Sequence, residues 1–201
     1  LEHIYKYLRK FKTVLSLNYD LIVYWAAQYG NNALGNRYHF KDCFDGTRRF
    51  PEEWQSKRQA YRGISDPTLY FYPHGNLALV QEPDYKERKV VLAPYSDGQL
   101  LGTILNLWES GECVPLFVCE GLSETKKAAI DRSAYLSRIY REAIPSIGDS
   151  LVIYGWSLAE QERHIVSQIL RYRPKRIAVS IRNQDKNLMQ RSEQIFGVHG
   201  C

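Results

Sequence analysis

The stretch LVIYGWSLAEQERHIVSQILRYRPKRIAVSI, residues 151–181, decides the fold class. Its two ends, residues 151–155 and 175–181, are short apolar, β-branched runs of strand length, and residues 158–172 between them read as a helix. Outward from this unit the alternation continues. Residues 115–119 (PLFVC) read as a strand and 123–144 as a long helix. Short apolar strands separated by helices are the pattern of a parallel sheet covered on both faces, so an α/β fold with a Rossmann-like, mostly parallel sheet is expected.

Toward the amino terminus the pattern loosens. Residues 69–72 (LYFY) read as a strand closed by Pro73-His74-Gly75, and residues 77–80 and 90–92 as a small hairpin around the charged turn 82–89. Residues 31–67 are polar, aromatic and rich in Gly and Arg, which predicts irregular structure with a turn at Asp45-Gly46. Residues 20–29 predict a buried helix ending at Gly30, residues 12–17 a β-prone run, and residues 1–10 an amphipathic helix carrying Ile4 and Leu8. One domain over 1–201, with irregular insertions at 31–67 and 77–112, accommodates these elements.

Composition excludes several classes. With 44% apolar and 24% charged residues in 201, the chain is neither disordered nor fibrous. A net charge of +5 is too mild and too scattered to indicate nucleic-acid binding. The longest nearly apolar stretch, residues 14–27, is interrupted by Asn18 and Asp20, so no membrane span is expected. The cysteines Cys43, Cys113, Cys119 and Cys201 form no C-x-x-C pair, which argues against a structural zinc or a dithiol redox centre. A cytoplasmic location is expected. No G-x-G-x-x-G, Walker-type loop or G-x-S-x-G elbow occurs.

In open α/β sheets, ligands bind outside the carboxyl ends of the strands, and three such ends carry polar chemistry. The first is Leu17-Asn18-Tyr19-Asp20; taken alone, Asp20 reads as a cap for the following helix. The second is Tyr72-Pro73-His74-Gly75, where an imidazole suited to proton transfer near neutrality sits in what is otherwise a turn. The third is Gly155-Trp156-Ser157-Leu158-Ala159-Glu160, in which Ser157 and Glu160 have capping-box spacing. Glu160 and His164 stand four apart on that helix, a spacing that suits a metal but reads better as a solvated pair. The Tyr- and Arg-rich residues 48–62 read as a solvated flap rather than a basic-aromatic patch.

The order of these signals resembles the sirtuin-like, NAD-consuming fold: N-x-D after a strand, H-G after a strand, E-G after PLFVC, and G-x-S-L before a helix. The wording LNYDL (17–21), PLFVCEG (115–121) and GWSLxEQxxHI (155–165) is similar to an uncharacterised bacterial sirtuin-like branch. The resemblance implies that Asn18 and His74 are the catalytic pair. Asn18 would position the attacking water or the nicotinamide ribose, and His74 would act as general base. It further implies Asn18 and Asp20 near the nicotinamide end of NAD and Gly155 with Ser157 at the adenosine half, with no metal.

Deacylating sirtuins carry a four-Cys zinc module that this chain lacks, which favours NAD hydrolysis of the kind associated with anti-phage defence. A regulatory subunit or oligomer is an expected partner. Other readings are a non-catalytic nucleotide-sensing scaffold, and a deacylase or ADP-ribosyl transferase. The family's N-terminal glycine-rich βα unit has no counterpart before Asn18, and the chain starts at Leu1 with Met189 as its one methionine. The central strand is therefore expected to come from residues outside this sequence, from another chain, or from a rearranged N-terminal segment.

Overall fold

The computed structural model describes residues 1–32, 34–35, 39–91, 99–118 and 120–197. The chain divides into two compact units, residues 1–119 with 133–136, and residues 120–132 with 137–201.

The first unit opens with α1 (Glu2–Leu8), β1 (Thr13–Leu15) and α2 (Ile22–Asn32). Tyr5 of α1 lies so close over Gly30 of α2 that a Cβ there would fall 1.9 Å from its ring. Only glycine allows this approach, which explains how two short helices bury a full tyrosine. β2 (Phe40–Lys41) and β3 (Thr68–Phe71) complete a three-stranded parallel sheet in the order β1-β3-β2, with Leu15 opposite Phe71 and Phe40 opposite Thr68. Tyr5, Ala27, Phe40, Tyr70 and Tyr72 form one core against α1 and α2.

A second, antiparallel sheet follows: β4 (Gly75–Gln81), β5 (Glu87–Lys89) and, after α3 (Leu100–Glu109), β6 (Val114–Phe117), in the order β5-β4-β6. This corrects the expectation that residues 115–119 join a parallel sheet. The turn at residues 72–74 folds β4 back from β3, and β6 then pairs antiparallel to β4. Cys119 lies outside the described residues. Within residues 77–112, otherwise expected to be irregular, the expected hairpin forms and α3 is added, whose Leu100 and Ile104 pack on Ala78, Val80 and Val90.

The hairpin's second arm comes earlier than residues 90–92, of which Leu92 lies outside the described residues. Glu82 explains the shift: its carboxylate takes Arg88 Nε at 2.8 Å and Arg49 Nη2 at 3.0 Å, drawing residues 87–89 alongside β4. Hydrogen bonding to Arg88, and then to Arg49, holds the Glu82 carboxyl below the ordinary glutamate range. Its contribution to stability is therefore complete above the unfolded-state pKa and is lost as pH falls through the folded one. Urea midpoints measured down an acid pH series should drop more steeply for the wild type than for Glu82→Gln.

The second unit contains α4 (Ser123–Arg132), the latter part of α5 (Ala134–Arg138), a π-turn (Ile139–Ala143) and a 3-10 turn (Ile144–Ile147). The single helix expected over 123–144 is thus broken. Within the first unit, the Ser133 hydroxyl accepts from Leu136 N at 3.0 Å, and Glu87 accepts from Ala134 N and Tyr135 N at 3.1 and 2.6 Å. A capping hydroxyl and a carboxylate on free N–H groups start a new helix there. Pro145 lacks the N–H that would continue the α-helical ladder, and the wider π-turn and then 3-10 geometry take over.

β7 (Ser150–Ile153) and β8 (Arg176–Val179) pair in parallel, with α6 (Arg163–Tyr172) between them in sequence and α7 (Lys186–Phe196) after them. Ile153, Leu158 and Val166 form the core of this unit, with Ile177, Val179, Leu188 and Phe196 packed against it. The Asp185 carboxylate caps α7, accepting from Asn187 N and Leu188 N. The fold is α/β, with parallel pairing in two sheets and antiparallel pairing in the third. Among the described residues, no helix is long and apolar enough to cross a membrane.

Candidate functional site

β1 and β3 are neighbours running in the same direction, and Ser16 N donates to Phe71 O at 2.9 Å just beyond the end of β1. Their chains therefore leave the sheet side by side. From β1 comes the loop with Asn18 and Asp20; from β3 comes the turn with His74. The Asn18 loop is fastened by Leu77 N donating to Tyr19 O at 3.0 Å and by the Tyr19 ring stacked on Phe117 at 5.5 Å.

Asn18 is exposed, whereas His74 is only 3% exposed and its carbonyl accepts from Val118 N at 2.7 Å. The structure thus brings Asn18 and His74 to one sheet edge, the first facing solvent and the second enclosed. Asp20 keeps the role its residue type suggests, its Oδ1 accepting from Ile22 N at 2.9 Å at the start of α2.

Below this edge lies a polar cluster that sequence reasoning missed. Tyr72 OH accepts from Tyr24 N at 3.0 Å, and Tyr72 N donates to Tyr135 OH at 3.1 Å. Burial drives the phenols of Tyr70, Tyr72 and Tyr135 well above their ordinary pKa, so all three stay neutral. Asp42 and Lys89 form an ion pair beside them. The cavity these side chains enclose is about 10 Å³, room for one water and for no nucleotide. Tyr72 joins the cluster to the His74 turn, its carbonyl accepting from Gly75 N at 2.9 Å. The cluster's one sequence signal is the alternation of tyrosines in residues 69–72, which reads equally well as plain strand pattern.

Gly155 and Ser157 lie in the second unit, after β7. The capping box expected from Ser157 and Glu160 does not form. Leu158 is buried in a left-handed conformation (φ 53°), which postpones α6 to Arg163, and neither helix start there has a side-chain cap. Ser157 is exposed, and its carbonyl accepts from Arg191 Nη1 at 2.6 Å.

The Glu160–His164 pairing also fails. Glu160 reaches Arg163 at 3.2 Å on the surface, while His164 is buried with its Nδ1 3.1 Å from Ser123 Oγ. The same hydroxyl accepts from His164 N at 2.9 Å, and Lys126 Nζ meets Glu162 Oε1 at 2.6 Å beside it. This arrangement of a buried Ser–His pair and a part-buried Lys–Glu pair joins residues some forty apart in the chain, a pairing no local pattern announces.

Fold and strand-end chemistry together define an α/β protein with polar side chains gathered at the carboxyl edge of a small parallel sheet. The chain belongs to the family described as a domain of unknown function (DUF4917), whose model matches residues 1–199. No curated protein matches the chain.

Proposed function

We propose that this chain is a sirtuin-like NAD glycohydrolase acting at the carboxyl edge of the β1-β3-β2 sheet, a regulated effector of the kind used against phage. The observation that carries the reading is the delivery of Asn18 and His74 to that one edge by adjacent parallel strands. Cleaving the nicotinamide–ribose bond builds positive charge on the sugar, and water then attacks the ribose C1′. Asn18 orients that water, and His74 takes the proton it loses, so NAD and water yield nicotinamide, ADP-ribose and a proton. The support comes wholly from the first unit.

The near-complete burial of His74 favours a second reading, a nucleotide-sensing scaffold that keeps the fold without turnover. Incubating the full chain with NAD and following nicotinamide and ADP-ribose by chromatography separates the two. Hydrolysis that Asn18→Ala reduces about tenfold or more supports the enzyme. NAD binding by calorimetry with no product supports the scaffold, and neither binding nor product overturns both.

A further inference from the structure

The second unit carries an open groove of about 810 Å³ floored by Ile177 and Val179 of β8 and walled by Met189 and Phe196 of α7. We propose that this groove docks an extended, acidic and apolar segment of a partner protein, which adds to the free edge of β8 as a further strand.

Hydrogen-bond parity shows which edge is free. Arg176 N donates to Asp149 O at 3.0 Å and Ser180 N to Ile153 O at 2.8 Å, so the even-numbered residues of β8 face β7. In a parallel strand the backbone groups of alternate residues point to opposite sides. Those of Ile177 and Val179 therefore point away from β7, and β8 has no other neighbour among the described residues. The residues with outward backbone groups are the ones that floor the groove. A two-stranded parallel sheet is a weak structure alone, and such an edge is a template for strand addition.

Charge selects the occupant. Arg173 and Lys175 stand at one end of the groove and Arg182 follows β8 at the other, against Glu193 as the acid in the lining. The Lys175–Asp149 pair is exposed on both sides, so it competes weakly for the lysine. A second copy pairing edge to edge with β8 would run antiparallel and set Arg176 near the Arg182 end of its mate, a like-charge opposition that disfavours it. A strand with alternate apolar side chains under α7 and carboxylates on the opposite face of the sheet, where Arg176 is exposed, fits both features.

The test uses the full chain and a fluorescein-labelled eight-residue peptide of alternating Val and Glu, with a Val/Lys peptide as its counterpart, read by anisotropy. The Val/Glu peptide should bind at least tenfold tighter, and Arg173→Glu with Lys175→Glu should reverse the preference. Val179→Pro deletes one outward N–H and leaves the β7 ladder intact, and should weaken binding roughly tenfold. Hydrogen exchange keeps the result clear of misfolding. Amides of Ile177 and Val179 should exchange fast in the free chain and slow with peptide, while Ala178 and Ser180 stay protected throughout. Equal binding of both peptides, unchanged exchange at Ile177 and Val179, or protection of those amides by self-association of the chain overturns the proposal.

Discussion

On the proposed glycohydrolase reading, nicotinamide release from NAD by the full chain is expected to fall by roughly 10²–10⁴ when His74 is replaced by alanine, the usual loss for a positioned general base. The His74 carbonyl, not the ring, accepts the bond from Val118 N, so the backbone that shapes the turn survives the substitution. His74→Gln fills most of the space with a group that cannot take the proton, and should lose activity to a similar degree. Circular dichroism of both variants should match the wild type. Turnover that is unchanged in folded His74→Ala would remove His74 from the chemistry and the glycohydrolase reading with it.

Gly75→Ala is expected to destabilise the first unit by about 3 kcal/mol, the sum of a left-handed backbone cost and an overpacking cost. Gly75 has φ +76°, and a Cβ on it would lie 2.1 Å from the Leu116 carbonyl oxygen and 2.8 Å from Phe117 Cα. Those are backbone atoms of β6, and Gly75 sits opposite Phe117 in the β4–β6 register, so neither strand can yield without breaking the pairing. Gly63 is the control. It has φ +85° with nothing within 4 Å of a Cβ, so Gly63→Ala should cost only about 1 kcal/mol. Urea midpoints for the two variants measure the difference. If they shift equally, the close approach of β6 contributes nothing. Because Gly75 follows His74 directly, the same contact fixes the turn on which the candidate base sits.

Strand and helix positions were largely legible where apolar runs were dense, as at residues 69–72, 151–155 and 175–181. Each of these forms a strand within two residues of the expected bounds. The break at Ser133 was not legible, because it depends on the Glu87 carboxylate arriving from a hairpin some fifty residues earlier. The capping box at Ser157 was legible and did not form. Burying Leu158 outweighed one side-chain hydrogen bond, since a fully buried leucine is worth about 1.5–3 kcal/mol and a cap typically about 1.

Of the candidate site residues, Asp20 was readable from its type and position alone, because an Asx turn at a helix start is a local event. Asn18 and His74 were readable as strand-end residues, but their sharing of an edge depends on β1 pairing with β3 across more than fifty residues. The pairing of His164 with Ser123 rather than Glu160 is likewise a long-range outcome.

By itself, then, the sequence determined the strands at residues 69–72, 151–155 and 175–181 and that the class is α/β, since both follow from the local spacing of apolar residues; α3, α7 and the break at Ser133 were not among its readings. The tertiary structure alone decided the direction of β6, the division into two units, the enclosure of His74 and, among the described residues, the pairing of β8 with β7 alone. Each of those depends on which distant backbone satisfies a given N–H or carbonyl, and hydrophobic periodicity carries no record of that choice.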